Sequence, residues 1–568
     1  MCGIFGVCGK AKKDEQIRML EAGLKGVEAR GPFGTDIHVE DGLALGHAHL
    51  PLVAVGNQAK SRENRQPLVR GSNVITYNGE IYDWKEQNKR LGIQPTAGDT
   101  ETMLRGLERE GIDFLGKIDA NYGFLASINN EYLAARDRHG LFPLYYAEER
   151  GKIGFASKFQ ALRATGFSPE NLRIVPPGCY VKVKGGKAEL SSWSKPEEFI
   201  PIEEREPIDP REFREVIEEA AKSRLPDTNP DGRTPMTLAL GGKDSATLSY
   251  LVSRELGNSF LGCVTVVPEN DREGGDLPGA RATLAKYSRE TGITIPHFVL
   301  PLTREYAESR IDELLDLLGP SYPNLACALP EDLFARHSRA IGAKVVMTAG
   351  GPDEGLVGYP WVFMFTDREK NTDSLITQIG ENEFLRNTLV LGDHGVENRA
   401  PYERILDLSR TIPEWQKYSE NPDGTYNTKL LLKQAIRGLI PEEVVDAIKM
   451  PVRSATGGGT VLEKIMCSDR EYQTNKGVWE RDLMASDWAL LMHGGSKGGF
   501  MGEGALYTMW RWASRNSELF DLGAQHFYGN QYTGEKPHPR SDVYSRSRQI
   551  FASNCIAYGI IDQSQRKI

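Results

Sequence analysis

The sequence has 568 residues, of which 39% are hydrophobic and 26% are charged, so we expect a globular protein of roughly two to four domains. Its formal net charge of −9 gives no general attraction to nucleic acid or to anionic membranes. No stretch reaches the roughly 18–20 uninterrupted apolar residues that span a bilayer. We therefore expect neither a nucleic-acid nor a membrane partner. The oligomeric state stays open, with a homodimer as one alternative.

The cysteines and the first residues indicate the compartment. Seven cysteines are scattered along the chain and form no CxxC pair, so neither a disulfide framework nor a zinc site is expected. The lysines near the N-terminus follow the short apolar start instead of preceding it, which is the wrong order for a secretory signal. Both features predict a cytoplasmic protein.

The first 200 residues contain short strand-like runs separated by turns, such as GIFGVC, VITYNGEIY and YGFLASI. Amphipathic helices are predicted at residues 14–29 and 99–111. Short apolar runs bounded by turns are typical of strands. We predict a domain of stacked antiparallel β-sheets with flanking helices over residues 1–200.

The pattern changes after residues 191–210, a proline-rich and charged segment with little apolar periodicity, which indicates a linker. Beyond it, apolar strands such as TPMTLAL and FLGCVTVVP alternate with helical runs. This alternation predicts a second, α/β domain over residues 205–520, with a doubly wound parallel sheet and a helical C-terminal part. Residues 521–568 form a polar tail that would be docked or flexible.

Cys2 stands where an N-terminal nucleophile is found. Once Met1 is removed, a single residue carries a thiol and a free α-amine, whose pKa of about 8 suits it to accept the thiol proton. Four further segments follow in order: RGPFG (Arg30–Gly34), YNGEIY (Tyr77–Tyr82), GDTE (Gly98–Glu101) and ARDRHGLFPLYY (Ala135–Tyr146). With the start MCGIFG, these segments resemble the class II glutamine amidotransferases, which implies an Ntn hydrolase-like fold.

The resemblance implies a chemical use for each motif. The Asn78 amide and the Gly79 N–H would form an oxyanion hole for the thioester-forming attack. Glu80 and Asp99 would accept hydrogen bonds from the ammonium group of glutamine, and Arg30 would have a structural role near the nucleophile. An Asn-Gly pair alone also predicts a hairpin turn, so this interpretation depends on the segments occurring together.

One position departs from the pattern of that family. His49, in GHAHL, stands where the family has an arginine that binds the carboxylate of glutamine. Histidine is shorter, is only partly charged at neutral pH and lacks the bidentate fork of a guanidinium. The sequence therefore predicts weaker glutamine binding, unless a nearby arginine such as Arg62 or Arg65 substitutes.

A Gly-Gly turn between a strand and a helix is typical of a phosphate site. In LALGGKDSATLSYL (Leu238–Leu251), backbone N–H groups and a helix N-terminus would face an anion. The segment lacks the GxxxxGK[ST] spacing of a Walker A loop and resembles the SGGxDS loop of ATP pyrophosphatases. The resemblance implies these roles: Asp244 for Mg²⁺, Ser245 for pyrophosphate, Gly241 and Gly242 for the shape of the loop, and Leu240 in place of the first serine.

TAGGPDEGLVGY (Thr348–Tyr359) resembles a segment of the asparagine synthetases. By that resemblance Asp353 would be the second magnesium carboxylate, an oxygen ligand that suits a hard cation bridging phosphates. Gly350 and Gly351 would lie at the ATP site. Gly350 stands where the family has an acidic residue tied to acyl-adenylate chemistry, and this departure puts aspartate as the acceptor in question.

Further segments extend the resemblance to about residue 465. HGVENRAPY (His394–Tyr402) and KLLLKQAIRGLIPEEVVDAIKMPVRS (Lys429–Ser454) both resemble segments of asparagine synthetases. Within the second, Lys449 would be the cation that neutralises phosphate charge during adenylation. Val266 begins the region after the second strand where adenine and ribose contacts are expected.

Together these features favour a glutamine-hydrolysing carbon–nitrogen ligase of the asparagine synthetase type, with a PP-loop ATP pyrophosphatase domain and with ATP and Mg²⁺ as cofactors. Ammonia released at Cys2 would attack an acyl-adenylate made from aspartate or a related acid. Two alternatives stay open. One is an enzyme of the same plan with another acceptor, such as a natural-product acid, a peptide or a modified nucleotide. The other is a degenerate scaffold that binds nucleotide without turnover.

Overall fold

The computed structural model describes most of the chain up to residue 474. The described residues are 1–52, 65–93, 98–194, 204–229, 231–319, 321–359, 362–363, 368–448, 450–474, 507–508, 510–512 and 515. The predictions for Arg62, Lys449 and the tail at 521–568 lie outside the described residues. Within the described ranges, no helix combines the length and the apolar character needed to cross a membrane.

Up to residue 194, the described chain folds into two six-stranded antiparallel sheets. Their strands are β1 (Gly3–Gly9), β2 (Thr35–Glu40), β3 (Leu43–Ala48), β4 (Leu68–Arg70), β5 (Asn73–Ile81), β6 (Ala120–Ile128), β7 (Glu131–Arg136), β8 (Tyr145–Glu149), β9 (Lys152–Ala156), β10 (Leu172–Ile174), β11 (Cys179–Lys184) and β12 (Lys187–Ser192). The helices are Lys13–Val27, Trp84–Arg90, Asp99–Glu110 and Phe159–Ala164. The strand orders are β10-β8-β9-β1-β3-β2 and β12-β11-β7-β6-β5-β4, which confirms the predicted stacked antiparallel sheets.

The two sheets stack through a shared apolar layer. Leu45 of β3 and Leu125 of β6 meet there, and a Cβ on Gly6 of β1 would lie only 2.4 Å from the Leu125 side chain. The helix Lys13–Val27 covers the outer face of the first sheet, and the helix Asp99–Glu110 covers that of the second. Because each sheet buries one face against the other and one against a helix, central strands such as β1 and β6 are buried on both faces.

From residue 204, the described chain forms a five-stranded parallel sheet of order β15-β14-β13-β16-β17 and a small hairpin of two strands. The strands are β13 (Thr234–Ala239), β14 (Phe260–Pro268), β15 (His297–Leu302), β16 (Val345–Met347), β17 (Glu397–Arg399), β18 (Tyr418–Glu420) and β19 (Tyr426–Thr428). The α-helices are Pro210–Ser223, Lys243–Leu256, Leu277–Thr291, Arg304–Leu318, Tyr322–Ala340, Pro352–Gly355, Arg368–Gln378, Glu383–Asp393, Arg404–Thr411, Glu414–Lys417, Leu430–Ile436, Glu442–Val445, Val452–Ala455 and Gly458–Ser468.

Helices cover both faces of this parallel sheet. Val345 and Met347 of β16 point into one apolar cluster, which includes the helix Lys243–Leu256. Val346, between them, points into the opposite cluster, which includes the helix Tyr322–Ala340. This alternation follows from the two-residue period of a strand, and it confirms the predicted doubly wound sheet.

The two halves meet in a largely buried and polar interface. Among its side-chain pairs between the halves are Lys158–Asp393 at 2.6 Å, Arg138–Asp407 at 3.0 Å, Asp119–Arg224 at 2.5 Å, Asn121–Glu403 at 2.7 Å and Glu80–Arg399 at 3.1 Å. Buried charged pairs hold two surfaces in one register, because breaking one leaves an unpaired charge away from water. The relative placement of the two halves is therefore well specified.

Candidate active sites

Cys2 lies directly before β1. Because β1 and β3 are antiparallel, with Gly3 opposite Ala48, the start of β1 lies beside the end of β3. There the Leu50 N–H donates to the Cys2 Sγ at 3.4 Å. Burial raises the pKa of the Cys2 thiol to about 11, and the nearby N-terminal charge opposes this shift. A thiol in this setting is protonated at neutral pH, so it needs an adjacent base to act as a nucleophile.

The N-terminal amine is the base expected to accompany this thiol. In this chain it belongs to Met1, which is fully buried. Burial lowers the pKa of the amine to about 5, while the carboxylate of Glu397 opposes the shift. An amine at this position is therefore neutral at pH 7 and able to accept a proton. Removal of Met1 would give this role to the amine of Cys2.

A cavity of about 190 Å³ opens beside the Cys2 thiol. Its walls come from the end of β3, from β5 and from the start of the helix Asp99–Glu110. A further wall comes from Glu397 of β17, which belongs to the second half of the chain. The ionisable side chains His49, Arg65, Glu80, Asp99 and Glu397 all line the cavity.

Asn78 and Gly79 lie side by side on β5. The Asn78 side chain is fully buried, and neither of its amide atoms has a hydrogen-bond partner among the described residues. Leaving a buried polar group unpaired costs about 1–3 kcal/mol, so such an amide is poised for a ligand or a water molecule. Gly79 lines the cavity, and a Cβ there would lie 2.5 Å from the Asn121 carbonyl oxygen, which only glycine avoids. Both features suit the predicted oxyanion hole, although Asn78 itself does not line the cavity.

Asp99 and Glu80 differ in what they already contact. Asp99 accepts a hydrogen bond from the Ile81 N–H at 3.0 Å, and burial raises the pKa of its carboxyl to about 6. The Glu80 carboxylate instead accepts from Arg399 of β17 at 3.1 Å. Asp99 is thus the carboxylate available to a substrate ammonium group. The prediction for Glu80 takes no account of Arg399, which holds that side chain from the other half.

Arg30 is buried between the nucleophile and the second half. Its Nε donates to the Cys2 carbonyl oxygen at 3.2 Å, and its Nη1 donates to the Thr388 carbonyl oxygen at 3.4 Å. Its Nη2 lies 3.2 Å from the Met1 sulfur. These contacts support the structural role that the sequence predicts for Arg30.

His49 lies in the cavity wall, but it is a weak cation. Its Nε2 lies 3.2 Å from both an Asp36 carboxylate oxygen and the Gln66 carbonyl oxygen. Because both neighbours are acceptors, Nε2 carries the proton, and burial lowers the pKa of the imidazole. Arg65 lines the same wall and lies 3.5 Å from Asp36, with its side chain 67% exposed. Of the two arginines considered as substitutes, Arg65 is thus placed where a substrate carboxylate could reach it.

The turn after β13 has the geometry of an anion loop. The Gly241 N–H donates to the Ser245 Oγ at 2.8 Å, and this hydroxyl donates to the Gly242 carbonyl at 3.0 Å. Gly242 directly precedes the helix Lys243–Leu256, whose first N–H groups have no partner within the helix. Leu240 is buried in the apolar core, so it offers no polar group to a phosphate.

Val266 lies near the end of β14, at the same carboxyl edge of the sheet as that turn. It is partly buried against the apolar clusters behind the sheet. The predicted adenine or ribose contact at Val266 stays a prediction.

Asp244 and Asp353 meet at one ammonium group. The Lys429 Nζ lies 2.6 Å from an oxygen of Asp244 and 2.6 Å from an oxygen of Asp353. Lys429 is 2% exposed and precedes the helix Leu430–Ile436 with a left-handed φ of 55°. The two predicted magnesium carboxylates are therefore close together. The sequence analysis missed the lysine between them, although it opens the very segment in which Lys449 was considered.

This pair of carboxylates fits a magnesium ion that is shared with phosphate oxygens. Asp244 Oδ1 is buried and has no hydrogen-bond partner among the described residues. Mg²⁺ commonly uses one or two carboxylates together with substrate phosphates instead of a complete protein cage. Among the described residues, no group of three or more Asp, Glu, His or Cys side chains is arranged to hold a metal ion.

The turn before Asp353 consists of Gly350 and Gly351. Gly351 has a φ of +121°, a conformation that L side chains rarely adopt. A Cβ on Gly350 would lie 2.6 Å from an oxygen of Glu383, the first residue of the helix Glu383–Asp393. The carboxylate of Glu383 therefore lies where a side chain on residue 350 would begin. Sequence reasoning missed it because the two residues are far apart in the chain.

Glu354 is a second acidic group beside this turn. One of its oxygens accepts from the Tyr359 hydroxyl at 2.6 Å, and the other is buried without a hydrogen-bond partner among the described residues. Burial, together with the charges of Glu383 and Asp353, raises the pKa of Glu354 to about 8. Glu354 is therefore protonated at neutral pH unless a cation or a substrate binds beside it.

Comparison with known proteins agrees with this geometry. Residues 1–193 match the family model of the glutamine amidotransferase domain. The chain is similar to the glutamine-hydrolysing asparagine synthetase of Asparagus officinalis, with 26% identity over 77% of this chain and 73% of that protein. It is also similar to a probable asparagine synthetase of Dictyostelium discoideum, with 24% identity over 90% of this chain and 96% of that protein.

A solved glutamine phosphoribosylpyrophosphate amidotransferase of B. subtilis aligns with 62% of this chain and 82% of that chain, at 16% identity and a TM-score of 0.31. That structural likeness is too low to carry an argument. Residues 1–193 form a glutamine amidotransferase domain, and the chain is a relative of the glutamine-hydrolysing asparagine synthetases.

Proposed function

We propose that this chain is a glutamine- and ATP-dependent enzyme that converts a carboxylate into an amide, with aspartate or a related acid as the acceptor. The observation that carries the proposal is the meeting of Asp244 and Asp353 at Lys429, in a chain that also holds a buried thiol cavity at Cys2. The printed names of the relatives support the same activity. We also propose a cytoplasmic location and a homodimer.

The first half-reaction would take place at Cys2. The Sγ attacks the amide carbon of glutamine while the N-terminal amine takes the thiol proton. The carbon–nitrogen bond breaks, ammonia leaves with that proton, and water then hydrolyses the thioester to glutamate. Asn78 and the Gly79 N–H would stabilise the oxyanion, and Asp99 would hold the substrate ammonium group.

Substitution of Asn78 by alanine is expected to lower kcat for glutamine hydrolysis by about 10²–10³-fold, because one oxyanion donor is lost. The KM for glutamine should change little, since this amide contacts the reacting oxygen only as charge develops on it. Glutamate release measures both constants. Asn73→Ala, at the other end of β5, is the matched control and should keep the wild-type kcat.

Glutamine use is also expected to depend on pH through Asp99. Its carboxyl has a pKa raised to about 6 by burial, and only the ionised form attracts the ammonium group of glutamine. The value of kcat/KM should therefore be constant well above pH 6 and fall by about tenfold per unit below it. A pH profile of glutamate release checks this, and Asp99→Asn should give a low value without that slope.

The second half-reaction would take place at the turn after β13. An oxygen of the acceptor carboxylate attacks the α-phosphorus of ATP, pyrophosphate leaves, and ammonia then displaces AMP from the acyl carbon. Lys429 and the first N–H groups of the helix Lys243–Leu256 would stabilise charge on the leaving pyrophosphate. Mg²⁺ held by Asp244 and Asp353 supplies further charge neutralisation when bound. Lys449 stays proposed as a second cation.

Ammonia would pass from the Cys2 site to the nucleotide site through the space that Met1 fills. The Met1 side chain packs among Leu141, Phe142, Ile376, Ile379, Phe384, Ala400 and Leu406, which come from both halves. Phe384 also borders the turn at Gly350, where a Cβ would lie 3.1 Å from its ring. Removal of Met1 would therefore open a passage with apolar walls from Cys2 towards the acyl-adenylate. Such walls suit neutral ammonia and exclude its charged form.

The experiment that tests this function is ATP–pyrophosphate exchange with a panel of acids. Aspartate or a related acid should support exchange and the formation of AMP. Absence of exchange with every acid, together with tight ATP binding, would reject the synthetase function in favour of a binding scaffold. Exchange with other acids but not with aspartate would identify a different acceptor, in keeping with the departure at Gly350.

A further inference from the structure

The glutamine cavity is not built by the amidotransferase domain alone. Glu397 lines it from β17, the edge strand of the parallel sheet in the second half, and is only 2% exposed. Its charge acts on both the Cys2 thiol and the N-terminal amine, since it opposes ionisation of the first and favours protonation of the second. A carboxylate of one half therefore stands beside the nucleophile of the other.

Arg399, two residues along β17, links this carboxylate to the cavity wall. Its Nε donates to Glu397 at 3.0 Å and its Nη2 donates to Glu80 at 3.1 Å. Its Nη1 donates to the Arg224 carbonyl oxygen at 3.0 Å, so each nitrogen of this buried guanidinium has an acceptor. Charge-assisted hydrogen bonds from a planar guanidinium fix the orientation of both carboxylates.

The backbone of β17 is fixed on its other side by the turn of the nucleotide site. The Thr348 N–H donates to the Arg399 carbonyl at 2.9 Å, and the Thr348 hydroxyl donates to the Asn398 side chain at 2.8 Å. Thr348 directly precedes the segment that leads to Gly350 and Asp353. One three-residue strand thus contacts both proposed sites, with alternate side chains on opposite sides.

We propose that Glu397 and Arg399 are positioning residues of the glutaminase site, which is complete only when the second half is docked on the first. Arg399 fixes the side chain of Glu80 in the cavity wall through a hydrogen bond. Glu397 fixes Arg399 in the same way and lines the cavity beside Cys2. This inference rests on the proposed hydrolysis of glutamine at Cys2. Without Arg399, Glu80 would be a buried carboxylate close to the charges of Asp99 and Glu397, and it would have to move or take up a proton.

The test compares Glu397→Gln with Asp407→Asn in the full-length chain with Met1 removed. The first substitution keeps the shape of the side chain and removes its charge. The second removes the charge of another carboxylate at the interface, which pairs with Arg138 and His139 and does not line the cavity. Glu397→Gln should lower kcat/KM for glutamine by at least about tenfold, mainly through KM, while Asp407→Asn leaves it within about twofold.

Two further measurements separate positioning from a general structural effect. Labelling of Cys2 by a diazoketone analogue of glutamine should slow in Glu397→Gln, while labelling by iodoacetamide should not, because only the analogue uses the cavity wall. The double variant Glu80→Gln/Glu397→Gln should lose no more activity than the worse single variant, since both act through Arg399. Additive losses would contradict that coupling.

Equal losses in Glu397→Gln and Asp407→Asn, or wild-type kinetics in Glu397→Gln, would overturn the inference while leaving the proposed function intact. Failure of the proposed function looks different. The wild-type chain with a free Cys2 amine would then release no glutamate and would resist the diazoketone, whatever residue stands at position 397.

Discussion

Replacing Cys2 with alanine is expected to abolish glutamine-dependent amide formation, by at least about 10³-fold, while ammonium salts still support the reaction. The reason is that the thiol forms the bond to glutamine, whereas adenylation and the attack by ammonia use residues of the second half. Product formation is measured with glutamine and with ammonium chloride at the same ATP and acceptor concentrations. This comparison separates the loss of glutamine hydrolysis from any loss of amide synthesis.

Cys8→Ala provides the matched control. Cys8 lies six residues beyond Cys2, within β1, and its buried Sγ lies 3.7 Å from the Ile153 carbonyl oxygen, away from the cavity. This variant should use glutamine at close to the wild-type rate. If the alanine at position 2 left glutamine use unchanged, the nucleophile would have to be sought elsewhere. If it also removed ammonia-dependent activity, the substitution would be acting on the fold.

Replacing Lys429 with methionine is expected to reduce ATP–pyrophosphate exchange by at least about 10²-fold, because a cation placed to stabilise the leaving pyrophosphate is lost. The same change leaves Asp244 and Asp353 close together without their shared ammonium group. Removing one partner from a buried ion pair costs about 3–5 kcal/mol, so the variant should also unfold at a lower temperature. Added Mg²⁺ should recover part of that stability, since the ion can take the place of the ammonium charge.

Lys433→Met is the control for this second experiment. Lys433 lies one helical turn beyond Lys429, and its ammonium group contacts the Asn427 side chain instead of the two carboxylates. Its loss should leave exchange and the response of Tm to Mg²⁺ near wild type. Full exchange activity in Lys429→Met would show that the ammonium group is a structural bridge only, and it would return the catalytic role to Lys449.

Much of the fold could be predicted because its elements follow simple periodic patterns. The run FLGCVTVVP is apolar on both faces and became β14 (Phe260–Pro268) of a parallel sheet covered by helices on both sides. The helix predicted at 99–111 spans Asp99–Glu110. The local sequence predicts such elements, because each depends only on the spacing of its own apolar residues and on the turn residues that flank it.

The candidate sites could be predicted only where a short motif carries the chemistry. Cys2, Asp244 and Asp353 belong to such motifs, and the structure brings the last two together as expected. Glu383 belongs to no motif that the sequence shows, and Glu397 lies in the segment His394–Tyr402, for which the resemblance predicted no role at the Cys2 site. Each reaches its site from a separate element whose placement depends on how the sheet and the helices pack. Contacts of this kind depend on tertiary structure and are invisible in a single sequence.

Because Met1 is buried in the folded protein, its removal, which frees the amine of Cys2, has to take place before the chain has folded. An aminopeptidase needs a free and extended N-terminus, yet Ile376, Phe384 and Leu406 cover the first residue in the folded protein. A ribosome adds about 5–20 residues per second, so these covering residues are synthesised roughly 20–80 s after the first one. Trimming has to happen in that interval. A polypeptide that folds before it is trimmed would keep Met1 buried, with the amine on Met1 instead of on Cys2, for as long as it stays folded.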